Sequence, residues 1–106
     1  MQSTMYNGKK DKLLNCDHKD GHKLIINGLN CFFVNARSLV NNFKIEDLQL
    51  YAADLNLHII GIAETWLNDN IANSEVCLRG FTMYRRDRLN IKEGRGGGVL
   101  YLLVMN

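Results

Sequence analysis

A carboxylate and an amide occupy comparable places in this sequence, each directly after an apolar stretch. Glu64 follows residues 58–63, and Asn35 follows residues 31–34. A carboxylate next to buried apolar residues must reach solvent, pair with a cation or ligate a metal, because burying it bare is costly. Hard divalent cations such as Mg²⁺ prefer carboxylate oxygens and keep several waters beside a substrate phosphate. Glu64 is therefore a candidate metal ligand, although it could equally begin a surface loop.

The side chain of Asn35 also has two interpretations. Its amide could bind a metal-bound water or a phosphate oxygen, or it could cap the turn that follows. The apolar stretches before Asn35 and Glu64 are predicted to be neighbouring parallel strands, and ligands commonly bind at the carboxyl ends of such strands. The two side chains should therefore lie close together.

Charge is unevenly distributed along the chain. Residues 44–75 contain one lysine and six acidic residues, whereas residues 79–95 contain six basic and two acidic residues. An acidic stretch followed by a basic one could hold a cation beside a polyanion, or the two could be ordinary solvated faces. Arg85, Arg86 and Arg88 are candidate contacts for a phosphate backbone, or form an exposed basic turn.

A glycine-rich segment follows the arginines. Residues 95–98 read Arg-Gly-Gly-Gly, which could cradle a phosphate but lacks the Lys-Ser/Thr ending of a P-loop. Alternatively, the glycines let a strand begin tightly against its neighbour. Trp66 is interpreted as a packing residue rather than as a platform for stacking bases.

Periodicity predicts the elements that position these residues. Residues 23–27 are predicted to form a short edge strand. Residues 31–34 are a stronger strand candidate, because they are apolar, β-prone and bounded by asparagines. Apolar residues at helical spacing and acidic residues in the first turn indicate an amphipathic helix over residues 44–55, which Ser38, Asn41 or Asn42 could cap. The nearly continuous apolar run 58–63 indicates a strand buried on both faces. The helix that joins this strand to the strand over residues 31–34 suggests that the two strands are parallel neighbours.

Two further strands are predicted near the end of the sequence. Residues 81–85 alternate as a strand does, residues 97–104 are apolar, and the basic connection between them suits a long-looped hairpin. We expect the final strand to leave an exposed sheet edge that needs a partner. The fold class is α/β, and the elements amount to half of a larger domain.

Size and composition limit the class of protein. The 106 residues have room for one small domain, and the net charge of +2 is too small to argue for nucleic acid by itself. Residues 1–22 are predicted to be a polar, flexible leader and residues 23–106 the folded part. Three cysteines far apart do not suit a disulfide framework, which favours an intracellular location. The longest apolar run near the end is too short to cross a bilayer, so no membrane partner is expected.

Four motifs together resemble one family. They are Phe-Val-Asn-Ala-Arg-Ser-Leu at 33–39, Ile-Ile-Gly-Ile-Ala-Glu-Thr-Trp-Leu at 59–67, Gly-Phe-Thr-Met-Tyr-Arg-Arg-Asp-Arg at 80–88 and Arg-Gly-Gly-Gly-Val-Leu at 95–100. In this order and spacing, across about two thirds of the chain, they resemble the endonuclease/exonuclease/phosphatase superfamily. The resemblance is specifically to the apurinic-type endonuclease domain of non-LTR retrotransposons.

The resemblance implies a fold and a chemistry. The family's fold is a four-layer α/β sandwich (the DNase-like fold), and this chain would form part of it, truncated after the first strands. Its members cleave phosphodiester or phosphomonoester bonds with Mg²⁺ or Mn²⁺. By motif, Glu64 resembles the metal-binding glutamate and Asn35 the active-site asparagine, while Arg37, Arg85, Arg86 and Arg88 are carried over as nucleic-acid-binding residues.

The resemblance also implies what these 106 residues lack. The family uses a downstream tyrosine, an Asp-x-Asn pair and a terminal Asp-His pair, none of which this sequence contains in the matching order. We therefore expect a fragment of a DNA endonuclease that is inactive alone, nuclear if functional, with a reverse transcriptase domain downstream in a full-length relative. The alternatives are a non-catalytic nucleic-acid-binding remnant, or a phosphatase or lipid phosphodiesterase of the same superfamily.

Overall fold

The predicted strands and helix follow in the expected order, and a four-residue helix and a 3-10 turn that the sequence did not predict lie between them. The structure is a computed structural model and describes residues 21–88 and 97–105, so residues 1–20 of the predicted leader lie outside the described residues. Described residues 21 and 22 already belong to the first strand. The elements are β1 (Gly21–Ile26), β2 (Leu29–Asn35), α1 (Leu39–Asn42), α2 (Ile45–Asp54), β3 (Ile59–Ala63), a 3-10 turn (Asn73–Glu75), β4 (Phe81–Arg86) and β5 (Val99–Val104).

The strands form one mixed sheet in the order β1-β2-β3-β5-β4. β2 and β3 are parallel, with Asn35 opposite Ala63, and the other neighbouring pairs are antiparallel. The α/β class, the parallel pair and the β4–β5 hairpin are confirmed. The expectation that the last strand leaves an edge is wrong, because β5 lies between β3 and β4 and forms hydrogen bonds with both. Apolar β5 suits the interior of the sheet, whereas β4, with alternate residues exposed, suits an edge.

One face of the sheet carries the core. α2 begins with acidic residues in its first turn and buries the side of the helix that the periodicity predicted. The rings of Phe32 on β2 and Tyr51 on α2 meet edge to face, with centroids 4.9 Å apart. The other buried members of this cluster include Val34, Leu48, Ala52, Ile60, Ile62, Leu100 and Leu102.

The expectation that Ser38, Asn41 or Asn42 caps the helix over residues 44–55 is wrong, because the N-cap residue of α2 is Lys44 and no side chain caps it. Ser38 directly precedes α1, but it has a φ of 88° and makes no capping hydrogen bond with its side chain. Its backbone amide instead donates to the carbonyl of Glu64 at 2.9 Å. The side-chain amide of Asn42, at the end of α1, donates to the carbonyls of Ala36 at 2.8 Å and Arg37 at 2.6 Å. These bonds link the end of β2 to α1 and to the segment after β3.

The opposite face of the sheet is apolar and exposed. Directly opposite residues on neighbouring strands point to the same face, and on this face Leu24 is 47% exposed, Tyr84 54% and Tyr101 45%. Among the described residues no helix or strand covers these side chains. None of the helices in residues 21–88 and 97–105 is long and apolar enough to cross a membrane.

Candidate functional site

Glu64 is the first residue after β3, and its backbone is held on two sides. The carbonyls of Glu64 and Thr65 accept the amides of Ser38 and Leu39, each at 2.9 Å. These bonds join the segment after β3 to the start of α1. Glu64 has a φ of 55°, a left-handed conformation that is uncommon outside glycine. Such conformations persist where the surroundings enforce them, and they are frequent at functional sites.

Bonds to the segment before β5 hold the other side. The amides of Thr65 and Trp66 donate to the carbonyls of Gly98 at 3.3 Å and Gly97 at 3.0 Å. Trp66 is also left-handed, with a φ of 58°. Residues 64–66 are therefore fixed between two parts of the chain that lie about thirty residues away on either side.

The carboxylate of Glu64 is anchored through one oxygen. Oε1 accepts the indole N–H of Trp66 at 2.9 Å and the backbone N–H of Gly97 at 3.2 Å. Within residues 21–88 and 97–105, no hydrogen bond reaches Oε2. The bonds from Trp66 and Gly97 lower the pKa of Glu64 against the opposing effect of burial, and the charges of Arg88 and Arg37 lower it further. Glu64 is therefore an ionised carboxylate with one oxygen left for a ligand.

Asn35 ends the strand that pairs with β3, so its backbone lies next to the segment that carries Glu64. It is exposed at the end of β2, opposite Ala63, so it is one residue from Glu64 across the strand pair. Its side chain makes no capping bond to the part of the chain that the structure describes. Arg37 and Arg88 are near enough for their charges to affect the pKa of Glu64. The structure therefore places the charges of Arg37 and Arg88 near Glu64 and Asn35 at the end of the neighbouring strand. The expected contact between the side chains of Asn35 and Glu64 stays a prediction.

Arg85 is placed differently from the other predicted arginines. Its guanidinium donates twice to Asp87, at 2.9 and 2.8 Å, and also to Asn73 Oδ1 and the carbonyl of Asn68, each at 2.9 Å. Four of its five N–H donors are thus used within the chain. Arg86, the next residue, is exposed at the end of β4. The prediction that both contact nucleic acid stays a prediction, but Arg85 has a structural task that Arg86 lacks.

The glycine-rich segment supports the second of its two interpretations. Gly98 has a φ of 93°, and a Cβ added to it would stand 2.5 Å from Oγ1 of Thr65. Thr65 is fully buried, and its Oγ1 makes no hydrogen bond in the described residues. Gly98 thus allows the close approach of two segments, and Gly97 donates to the carboxylate of Glu64. Arg95 and Gly96 lie outside the described residues.

Replacing Gly98 with alanine is expected to disturb the site. The new methyl would push Thr65 away, and the positive φ would be strained, which together should cost about 2–4 kcal/mol of unfolding free energy. Gly80 is a matched control, because it has a φ of 86° and nothing within 4 Å of an added Cβ. G80A should cost only about 1 kcal/mol. Urea unfolding of both variants measures the difference, and equal losses would contradict the close contact.

The residues fit a divalent cation that keeps most of its water. The described residues contain no group of three or more His, Cys, Asp or Glu side chains that could hold a metal. Mg²⁺, however, is usually bound through only one or two carboxylates, with waters and substrate phosphates completing its coordination. Glu64, whose Oε2 accepts no hydrogen bond from residues 21–88 and 97–105, can supply one such carboxylate. Such a site would bind the ion weakly until a phosphate joins it.

Sequence reasoning missed the two donors that orient the carboxylate. Trp66 was interpreted as a packing residue, and residues 95–98 as a cradle or a tight strand start. Gly97 is 33 residues from Glu64, so no local pattern could pair them. The only available signal was that Trp66 is two residues from Glu64 in a segment that leaves a strand.

Comparison of the chain with known protein families, with curated proteins and with solved structures finds no match in any of the three. A function can therefore be inferred only from the residues around Glu64 and their geometry. The central feature is an oriented carboxylate, with an exposed asparagine on the neighbouring strand and two arginines nearby.

The lowered pKa of Glu64 predicts a pH dependence of stability. Because the folded state has the lower pKa, ionised Glu64 stabilises the fold above its ordinary pKa, and this contribution is lost as the pH falls through the lowered value. The protein and the Glu64→Gln variant should therefore differ in melting temperature near neutral pH and converge in acid. Thermal melts across this range measure the effect, and a constant difference would contradict it.

Proposed function

We propose that Glu64 and the residues around it form the metal-binding part of a divalent-metal-dependent DNA endonuclease domain. The proposal assigns the chain to the endonuclease/exonuclease/phosphatase superfamily, of the apurinic type found in non-LTR retrotransposons. The observation that carries it is the carboxylate of Glu64 at the carboxyl end of β3, with Oε1 held by two N–H donors and Oε2 accepting no bond in the described residues. The resemblance of the four sequence motifs supports the assignment to this family. The orientation of the Glu64 carboxylate supports a role for this residue in metal binding.

The residues of the chain have separate tasks in this proposal. Glu64 would hold Mg²⁺ or Mn²⁺ through its carboxylate, and the exposed amide of Asn35, on the neighbouring strand, would bind a water or a phosphate oxygen. When bound, the cation polarises the scissile phosphate and stabilises the leaving oxygen. Arg37 and Arg88 add positive charge near Glu64, which would favour the binding of a phosphate backbone there.

The open face of the sheet supports the finer fold proposal. A sandwich of two sheets buries the inner face of each, with the sheets about 10 Å apart. Leu24, Tyr84 and Tyr101 give the uncovered face large exposed apolar side chains, although exposed His22, Thr82 and Arg86 lie on the same face. The apolar part of this face suits packing against a second sheet. We propose that this sheet is one half of a DNase-like four-layer sandwich, with α1 and α2 forming its outer layer.

Cleavage requires more than the proposed metal ligand. The resemblance assigns activation of water and polarisation of the phosphate to residues that these 106 do not include in the matching order. We therefore expect the chain by itself to bind metal weakly and to leave DNA uncut. A reverse transcriptase domain downstream and a nuclear location belong to the full-length relative in this proposal.

A nucleic-acid-binding remnant without catalysis is the second candidate. It is favoured by the exposure of Arg86 at the end of β4 and of Arg88 just after it. It is also favoured by the lack, among residues 21–88 and 97–105, of a group of three or more potential metal ligands. Binding through exposed arginines would be electrostatic and would weaken steeply with salt. It would not require a cation at Glu64.

Titration with Mn²⁺ tests the first proposal on the 106-residue chain. Paramagnetic broadening of amide NMR signals should be strongest around Glu64 and Asn35 and should saturate. Broadening spread over the acidic surface, for example around Asp69 and Glu75, would contradict the proposal. If the nucleotide sequence continuing past Asn106 encodes Asp-x-Asn and Asp-His motifs, it would support the assignment to the superfamily.

A further inference from the structure

Three hydrogen bonds connect Trp66, Gly97 and Glu64 in a closed ring. The backbone N–H of Trp66 donates to the carbonyl of Gly97, the N–H of Gly97 donates to Oε1 of Glu64, and the indole N–H of Trp66 donates to the same Oε1. Each bond limits the motion of the groups in the other two. The carboxylate is therefore held by a side-chain donor and a backbone donor from two segments that are themselves hydrogen-bonded to each other.

The ring leaves the two carboxylate oxygens chemically different. A carboxylate oxygen has about two lone-pair sites, and two N–H groups occupy those of Oε1 in Glu64. Oε2 accepts no bond from residues 21–88 and 97–105. A cation can thus reach this carboxylate through one oxygen only, unless the ring opens.

We propose that Trp66 is a positioning residue that makes Glu64 a one-oxygen ligand, so that the site takes a small octahedral cation in preference to Ca²⁺. This inference rests on the proposed function and adds the selectivity of the same site. Mg²⁺ demands near-ideal octahedral geometry and keeps its waters, which suits a single oxygen. Ca²⁺ takes six to eight oxygens and often binds a carboxylate through both. With Oε1 occupied, the site offers Ca²⁺ too few oxygens.

Removing the indole N–H tests the proposal directly. W66F keeps an aromatic ring but loses the donor, so the side chain of Glu64 should change from one χ1 rotamer to several. Three-bond NMR couplings on Glu64 measure these populations without any metal. In metal titrations, W66F should bind Mn²⁺ about tenfold more weakly, as is usual when an outer-shell partner is lost, and its preference for Mn²⁺ over Ca²⁺ should shrink.

Hydrogen exchange of the Trp66 indole N–H tests the same contact without a change at Trp66, which matters if W66F folds poorly. Trp66 is the only tryptophan in the chain, so a single indole N–H signal reports on the contact. Its exchange with solvent should be slow in the protein and in E64Q, whose amide oxygen still accepts the bond. In E64A the exchange should be fast.

The outcomes separate this inference from the proposed function. Unchanged Glu64 rotamers in W66F, or equally slow indole exchange in E64A, would overturn the positioning role. Equal Mn²⁺ and Ca²⁺ affinities in the unmodified protein would overturn the selectivity. If Mn²⁺ fails to bind near Glu64 while W66F frees its rotamers, the proposed function fails and the positioning role is supported.

Discussion

Replacing Glu64 with glutamine should lower the affinity of the chain for Mn²⁺ about 100-fold or more. Glutamine has nearly the same shape and can still accept the indole N–H of Trp66, so the fold of the loop should survive. It lacks the negative charge, however, and a neutral amide oxygen is a much weaker ligand for a hard cation than a carboxylate. Loss of an outer-shell partner alone typically costs 10- to 100-fold, so loss of the charged ligand itself should cost at least the upper end of that range.

The matched control for this prediction is Glu46→Gln. Glu46 is an exposed acidic residue in the first turn of α2, and its replacement makes the same change in net charge. E46Q should leave the Mn²⁺ affinity and the position of the broadening unchanged. If both variants weaken binding equally, the cation is attracted by overall charge and Glu64 is not its ligand. In a full-length relative, replacement of this glutamate by alanine should abolish cleavage, whereas the same change in this chain should alter little activity.

Replacing Arg85 and Arg86 separately should distinguish a structural arginine from a binding one. Asp87 raises the pKa of Arg85, and the ion pair is mostly buried, with 13% and 15% of the two side chains exposed. R85A would leave the carboxylate of Asp87 and the carbonyl of Asn68 without their donors. We expect it to lower the free energy of unfolding by about 1–3 kcal/mol. The loop from residue 68 to residue 75 should also loosen, because Arg85 ties it to β4.

R86A makes the same change in charge at an exposed position, so its effect on stability should be within about 0.5 kcal/mol. If the basic stretch binds DNA, R86A and R88A should each reduce the slope of log affinity against log salt by about one. Urea unfolding followed by Trp66 fluorescence gives the stabilities, and DNA binding at several salt concentrations gives the slopes. Equal destabilisation by R85A and R86A would contradict the network around Arg85, and unchanged salt slopes would exclude the binding role.

The sequence predicted the elements well where the pattern is local. The helix expected over residues 44–55 spans Ile45–Asp54, and the strand expected over residues 58–63 spans Ile59–Ala63. Both predictions depend on the spacing of apolar residues within one element, which reflects which side faces the core. The parallel pairing followed as well, since a strand, a crossover helix and a buried strand have few other arrangements.

The predictions that were wrong depend on contacts between distant parts of the chain. The position of β5 inside the sheet is decided by which strand edges remain available after β2 and β3 have paired. Ser38 does not cap α2, whose N-cap residue is Lys44, and the backbone amide of Ser38 instead donates to the carbonyl of Glu64. Neither the position of β5 nor the hydrogen bond of the Ser38 amide can be predicted from a short stretch of sequence, because both depend on residues far away in the chain.

The candidate site divides in the same way. The sequence by itself determined that Glu64 and Asn35 end two neighbouring parallel strands, because strand ends follow from periodicity and the registers of parallel strands bring their ends together. Only the tertiary structure decided how the carboxylate is oriented, since Gly97 is 33 residues away and the indole of Trp66 depends on the path of the loop. It also decided that Arg85 is held within the chain while Arg88 lies near Glu64. Periodicity records which residues face the core, whereas hydrogen bonds between loops are fixed only when the strands that carry them have packed.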